Sequence, residues 1–121
     1  MSNYDNYPIY YEALKLTTYL DDVVCHFAKR HKYNAGNKLL EASLDVLSLV
    51  VLAIKRKSER KDCLSKAIDK LEIIKAILHH CKEVKAFNSF HSFEVSVKKV
   101  SEVAKQCEGW LKCQNSPSGK P

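Results

Sequence analysis

The sequence predicts an all-α protein, an antiparallel up-down four-helix bundle, and three observations carry that prediction. From Ile9 to Lys112 there is no proline, and the only glycines are Gly36 and Gly109. A sheet protein needs turn residues about every 8–12 positions, so a stretch so poor in breakers suits long helices. Four segments then repeat apolar residues at steps of three and four, which gathers each set on one helical stripe. The breaks between segments are short, which makes sequential helices antiparallel neighbours.

The first helix is read on Ile9, Ala13, Leu16, Leu20, Val23 and Phe27. Arg30 to Asn37 is expected to separate it from the second, whose stripe is read as Leu40, Leu44, Leu47, Val51 and Ile54. Arg56 to Arg60 is the next break, with Ser58 as its N-cap. The third helix carries Leu64, Ala67, Leu71, Ile74, Leu78 and Cys81. Phe87 to Ser89 follows, with Asn88 or Ser89 as N-cap. The fourth carries Phe93, Val100, Val103, Cys107 and Trp110, with Ser96 as the polar intruder. Near its end, Gly109 and Trp110 read as a pair of buried type. Helices of about 20 residues give a bundle roughly 30 Å long. The tail from Cys113, CQNSPSGKP, is polar and rich in breakers and is read as disordered, leaving one domain over residues 1–112. A chain of 121 residues with 45% hydrophobic content suits one domain with one core.

The second helix is too apolar for one buried stripe. Leu39, Leu40, Leu44, Val46, Leu47, Leu49, Val50, Val51, Leu52 and Ile54 cover most of its circumference. A helix apolar nearly all round is buried on more than one side, so the surplus is expected at a contact between copies of the chain.

The apolar run Leu44–Ile54 holds Asp45 and Ser48 and is about half the ~20 residues of a membrane helix, so no membrane span is expected. The start, MSNYDNYPIYYE, lacks the basic and apolar regions of a secretory leader. Cys25, Cys63, Cys81, Cys107 and Cys113 are odd in number and irregular in spacing. They read as reduced thiols used as small apolar residues in a cytoplasmic protein, not as a disulfide framework.

The net charge is +6, and residues 29–85 hold 14 Lys/Arg against 7 Asp/Glu. One cluster is Lys29, Arg30, His31, Lys32 and Lys38; another is Lys55, Arg56, Lys57, Arg60 and Lys61. An antiparallel bundle puts them at opposite ends, with Lys66, Lys70, Lys75, Lys82 and Lys85 running along the third helix between. Such a row attracts phosphate backbones without reading sequence. Asp62, Asp69, Glu72 and Glu83 interrupt it, as they would on a merely solvated face.

Nothing in the sequence marks catalysis or a cofactor. His79, His80 and Cys81 are adjacent, so they point about 100° apart around a helix and cannot converge on one ion. Cys25-His26 has the same defect. Asp21, Asp22, Glu41 and Asp45 lack the Glu-x-x-His companions of a carboxylate metal site. Asp45 is expected to pair with a lysine or line a subunit contact. There is no GxSxG, P-loop or GxGxxG. Tyr4, Tyr7, Tyr10 and Tyr11 suit base stacking, an interface anchor, or a cover over the bundle end; for Tyr10 and Tyr11 the cover is the better fit.

Three segments resemble one family. KYNAGNKLLEASLDVL (Lys32–Leu47), KLEIIKAILHHCKEVK (Lys70–Lys85) and EGWLK (Glu108–Lys112) look like the accessory variability determinant (Avd) family of diversity-generating retroelements, over roughly Ile9 to Lys112. The resemblance implies a four-helix subunit in a homopentameric barrel. The barrel binds a reverse transcriptase and the structured RNA it copies, without catalysis of its own. Lys75 and His79 stand where the family usually has Arg, and Ala104 and Glu108 where it has Gly. The resemblance and the charge together nominate Lys29, Arg30, Lys32, Lys38, Lys55, Arg56, Lys57, Arg60, Lys61, Lys75 and His79 as contacts to RNA (or DNA) or to the transcriptase. The bundle family encoded in ribosomal-RNA intervening sequences ranks second, since its Asn-Ile-Ala-Glu-Gly signature is missing. A subunit of a reverse-transcriptase defence system is a third reading.

Overall fold

The computed structural model describes Tyr4 and residues 6–114, and among them every regular element is helical. Four long helices make up the chain: α1 (Pro8–Cys25), α2 (Asn37–Lys55), α3 (Arg60–Glu83) and α4 (Phe90–Cys113). A helical turn at Lys29–His31 and a π-helical segment at Lys32–Gly36 run directly into α2, and a 3-10 turn at Lys57–Glu59 runs into α3. Each long helix packs on two others: α1 on α2 and α4, and α3 on α2 and α4.

Ring contacts fix the direction of the helices. Phe27, just past α1, meets Phe87, just before α4, at 5.3 Å between centroids. At the other end Tyr7, before α1, meets Trp110, near the end of α4, at 5.5 Å. Arg60, opening α3, joins the same end by bonding the last carbonyls of α2. The helices therefore alternate up and down.

The stripes read for α1 and α3 are buried in full, and so are Phe93, Val100, Val103, Cys107 and Trp110 of α4. Ser96, the polar intruder, is fully buried and donates its hydroxyl to the Ser92 carbonyl at 2.7 Å. The α2 stripe is different. The core takes Leu39, Ala42, Ser43, Val46, Val50 and Ala53, while Leu44 is 52% exposed and Leu40, Leu47, Val51 and Ile54 are half-buried. Both faces of α2 are apolar, and the face with the smaller residues turns inward. Ala42, Ser43 and Ala53 let α1 and α3 come close, and Thr17 of α1 donates to the Ser43 carbonyl at 3.3 Å. The larger residues are left on the outer side.

The first break also differs from expectation. The chain leaves helical geometry only over His26–Ala28 and is helical again from Lys29, so most of the Arg30–Asn37 stretch belongs to the approach to α2. Gly36 makes that approach possible. A Cβ there would sit 2.7 Å from Val24 Cγ1 and 3.1 Å from the His31 carbonyl oxygen. Gly109, by contrast, is exposed with nothing within 4 Å of a Cβ, so only Trp110 of that pair is buried.

Ser58 makes no cap and lies in the 3-10 turn, whereas Ser89 accepts the Ser92 N–H at 3.1 Å and caps α4. The end of α3 closes with Ala86 N–H on the Cys81 carbonyl and Lys85 N–H on the Lys82 carbonyl, the paired bonds of a Schellman motif. Lys85 takes the left-handed position at φ 60° where glycine is usual, at a cost of roughly 1 kcal/mol. α4 extends through Cys113, and the Gln114 amide donates to the Trp110 carbonyl at 3.2 Å; the rest of the expected tail lies outside the described residues.

Among the described residues no helix is long and apolar enough to cross a membrane. None of the five cysteines is in a disulfide. Burial pushes the Cys81 thiol up to about 11 and the Cys107 thiol up to about 12, so both remain protonated packing groups near neutral pH.

Candidate nucleic-acid interface

The basic residues fall into three groups with different surroundings. The first belongs to the start of α2. Lys29, Arg30 and Lys38 are exposed and Lys32 is half-buried, its ammonium 5.9 Å from the Tyr33 ring. Among the described residues no carboxylate lies within 4 Å of these four. The helical turn and π segment bring them together, because they wind Lys29 to Gly36 tightly against the end of α1.

The second group is at the end of α2 and start of α3. Lys55, Lys57 and Lys61 are exposed and have no described carboxylate within 4 Å, and Arg56 sits 3.7 Å from Glu59. Arg60 departs from this set. Its side chain is buried: Nε donates to the Ala53 carbonyl at 2.6 Å, Nη2 donates to the Ile54 carbonyl at 3.1 Å, and the guanidinium lies 4.6 Å from the Trp110 ring. Arg60 ties α3 to the end of α2 and to α4, and it is committed to the fold.

The row along α3 is the third group, and it is largely matched by carboxylates. Lys66 pairs with Asp62 at 3.0 Å, Lys70 with Asp45 at 3.2 Å, Lys75 with Glu72 at 3.4 Å and Lys82 with Glu83 at 3.9 Å. The Lys66 ammonium donates to the Asp62 carboxylate, which holds its proton more tightly than usual. A paired lysine offers less net field to a phosphate than an unpaired one. His79, nominated beside Lys75, is exposed and rests edge-on against Phe93 at 5.3 Å.

The unpaired surface cations of residues 29–85 therefore sit at the two ends of the bundle, separated by the 19 residues of α2, about 28 Å at 1.5 Å per residue; Lys98, Lys99, Lys105 and Lys112 of α4 also lack a described ion pair. The ends are unlike each other. Where α2 starts, a pocket of 320 Å³ is lined by Lys82, Lys85, Phe87, Asn88, Ser89, Phe90 and Phe93, with Phe90 62% exposed and Tyr33, on the approach to α2, 63% exposed. Where α2 finishes, Trp110 is buried. Phe90 was not singled out in the sequence, because it falls in the first turn of α4, off the apolar stripe, and only its position just after the Ser89 cap marks it.

Between the ends lies an apolar groove. Asp45, Ser48, Leu49, Lys66, Asp69, Lys70 and Ile73 line a shallow volume of 440 Å³ between α2 and α3. Leu44 stands beside it on α2, and Ile73 of α3 is 50% exposed. Asp45 pairs with a lysine, as the sequence led us to expect, and does so at this groove. Among the described residues no three His, Cys, Asp or Glu side chains gather as a metal site. Tyr7 covers Trp110 and Tyr10 packs against the core beside Tyr4, whereas Tyr11, expected as part of the same cover, is 42% exposed.

No family model matches the chain, and no curated protein matches it.

Proposed function

We propose that the chain is a non-catalytic accessory subunit that binds a reverse transcriptase and its structured template RNA in the cytoplasm, as the resemblance to accessory variability determinant proteins implies. The observation that carries this reading is the placement of unmatched cations at both ends of one bundle. Lys29, Arg30, Lys32 and Lys38 sit at one end and Lys55, Lys57 and Lys61 at the other. Two cationic patches about 28 Å apart engage phosphates that a folded RNA presents at separate points, and they hold it by counterion release rather than base reading. The outer face of α2 and the groove beside it supply the second half of the reading, self-assembly. Leu44 and Ile73 expose apolar surface mid-bundle, where a further copy of the chain would bury it. The resemblance sets the number of copies at five.

Co-purification with a reverse transcriptase of the diversity-generating retroelement type and its template RNA tests the proposal. The wild-type chain is expected to bring down the enzyme together with RNA. Reversing Lys55, Lys57 and Lys61 to Glu is expected to lower RNA retention at least tenfold while the far-ultraviolet circular dichroism stays helical. Loss of the transcriptase with RNA binding intact would assign that end to the enzyme. A wild-type chain that retains neither enzyme nor RNA would contradict the proposal.

A further inference from the structure

The two most exposed large apolar side chains among the described residues are both aromatic and both belong to the same end of the bundle. Tyr33 is 63% exposed on the approach to α2, and Phe90 is 62% exposed at the start of α4. The exposed aliphatic side chains, Leu14, Leu44 and Ile73, lie along the helices instead. Aliphatic surface suits another helix; exposed rings beside cations suit nucleobases and phosphates.

The charge around these rings is mostly positive. Residues 26–38 and 79–94 contain Lys29, Arg30, Lys32, Lys38, Lys82 and Lys85 against two carboxylates, Glu83 and Glu94. The two stretches share one end of the fold, since Phe27 meets Phe87 at 5.3 Å and Asn34, Ala35 and Lys38 line a pocket with Ala76, Ile77 and His80. Phe90 lines its own pocket with Lys82 and Lys85, and the Lys82 ammonium lies 5.1 Å from the Phe93 ring. The Phe90 ring leans on Phe93 at 5.7 Å but stays 62% exposed over a hollow of 320 Å³ that Lys82 and Lys85 also line, which can take one unpaired base and the phosphate next to it. A duplex keeps its bases stacked inside and has no use for the ring.

From this we infer that the Phe90 end of the bundle binds single-stranded nucleic acid, with an unpaired base stacked on Phe90 and its phosphate on Lys85, which, unlike Lys82, has no described carboxylate within 4 Å. Tyr33 with Lys29 and Lys32 offers a second stacking and phosphate position across the same end. The inference rests on the RNA-binding reading above and deepens it: this end takes the unpaired segments of a folded RNA, while the Lys55–Lys61 end meets its phosphates alone.

The test compares a labelled RNA single strand of about twelve nucleotides, within the usual site size, with a duplex of the same length, by fluorescence anisotropy. Phe90→Ala is expected to weaken single-strand binding about five- to hundredfold, the range of one lost base stack, and to leave duplex binding within about twofold. Phe90 is exposed, so the variant should keep the wild-type thermal midpoint. Phe90→Trp should retain single-strand affinity, and its indole emission should be quenched on binding; Trp110, buried at the far end, contributes a constant background. Unchanged single-strand affinity in Phe90→Ala, or an equal loss for strand and duplex, overturns the inference and leaves the RNA-binding proposal standing. Poly-glutamate competing as well as the single strand would assign this end to an acidic protein surface and also overturn it. A wild-type chain that binds neither probe defeats both the inference and the proposal beneath it.

Discussion

Arg60 connects three helices through one guanidinium. It opens α3, donates to two carbonyls at the end of α2 and stacks on Trp110 of α4. Charged hydrogen bonds of this sort contribute about 1.5–3 kcal/mol, and a desolvated cation–π contact adds on the order of 1. Arg60→Ala is therefore expected to destabilise the fold by about 2–4 kcal/mol, measured by urea unfolding. A loss under about 0.5 kcal/mol, the usual range for a surface substitution, would return Arg60 to the surface cluster. The sequence places Arg60 among five neighbouring cations, and charge alone does not distinguish the one that turns inward. That depends on the angle at which α3 leaves the 3-10 turn, which no local pattern encodes. Cross-helix pairing is hidden for the same reason. Lys70 meets Asp45 because α2 and α3 pack at one particular rotation.

At the scale of the element, α2 is where periodicity misleads and glycine decides. Three helices present one apolar stripe each, and those of α1 and α3 are buried residue for residue. α2 presents two, and the pattern of larger side chains selects the outer one. Helix propensity and hydrophobicity do not separate two apolar faces; the closeness of α1 and α3 does, and it favours Ala42, Ser43 and Ala53 inside. Gly36 sets that closeness at the start of the helix, where Val24 and the His31 carbonyl leave no room for a methyl group. Gly36→Ala is expected to destabilise by about 1–2 kcal/mol, overpacking outweighing the gain in helix propensity. Gly109→Ala, in an open helical position, should stabilise by about 0.5–1 kcal/mol. Thermal or urea melts of the two variants check the pair, and shifts of the same sign in both would contradict the close approach at Gly36.

On the whole molecule, the α2–α3 side presents cations at both ends and exposed Leu44 and Ile73 between them. The middle predicts self-association. Light scattering at micromolar concentration is expected to give a mass several times 13.8 kDa, and five times on the family resemblance. Leu44→Glu puts a charge on the most exposed aliphatic side chain and should return the chain to monomer without loss of helix content. A wild-type monomer would contradict the reading of the outer α2 face. The ends predict binding that responds to salt. Within residues 29–85, the surface cations Lys29, Arg30, Lys32, Lys38, Lys55, Lys57, Lys61 and Lys85 have no described carboxylate within 4 Å, and neither have Lys98, Lys99, Lys105 and Lys112 of α4. Each one that meets a phosphate contributes a slope of about −0.9 for duplex RNA regions and about −0.7 for single strands in a plot of log affinity against log salt. That plot, for the purified chain and a folded RNA, is expected to be a straight line with a slope between about −3 and −7 per subunit engaged, as four to eight contacts require; no binding at low salt, or an affinity that does not change with salt, would show that the cationic ends do not hold phosphates.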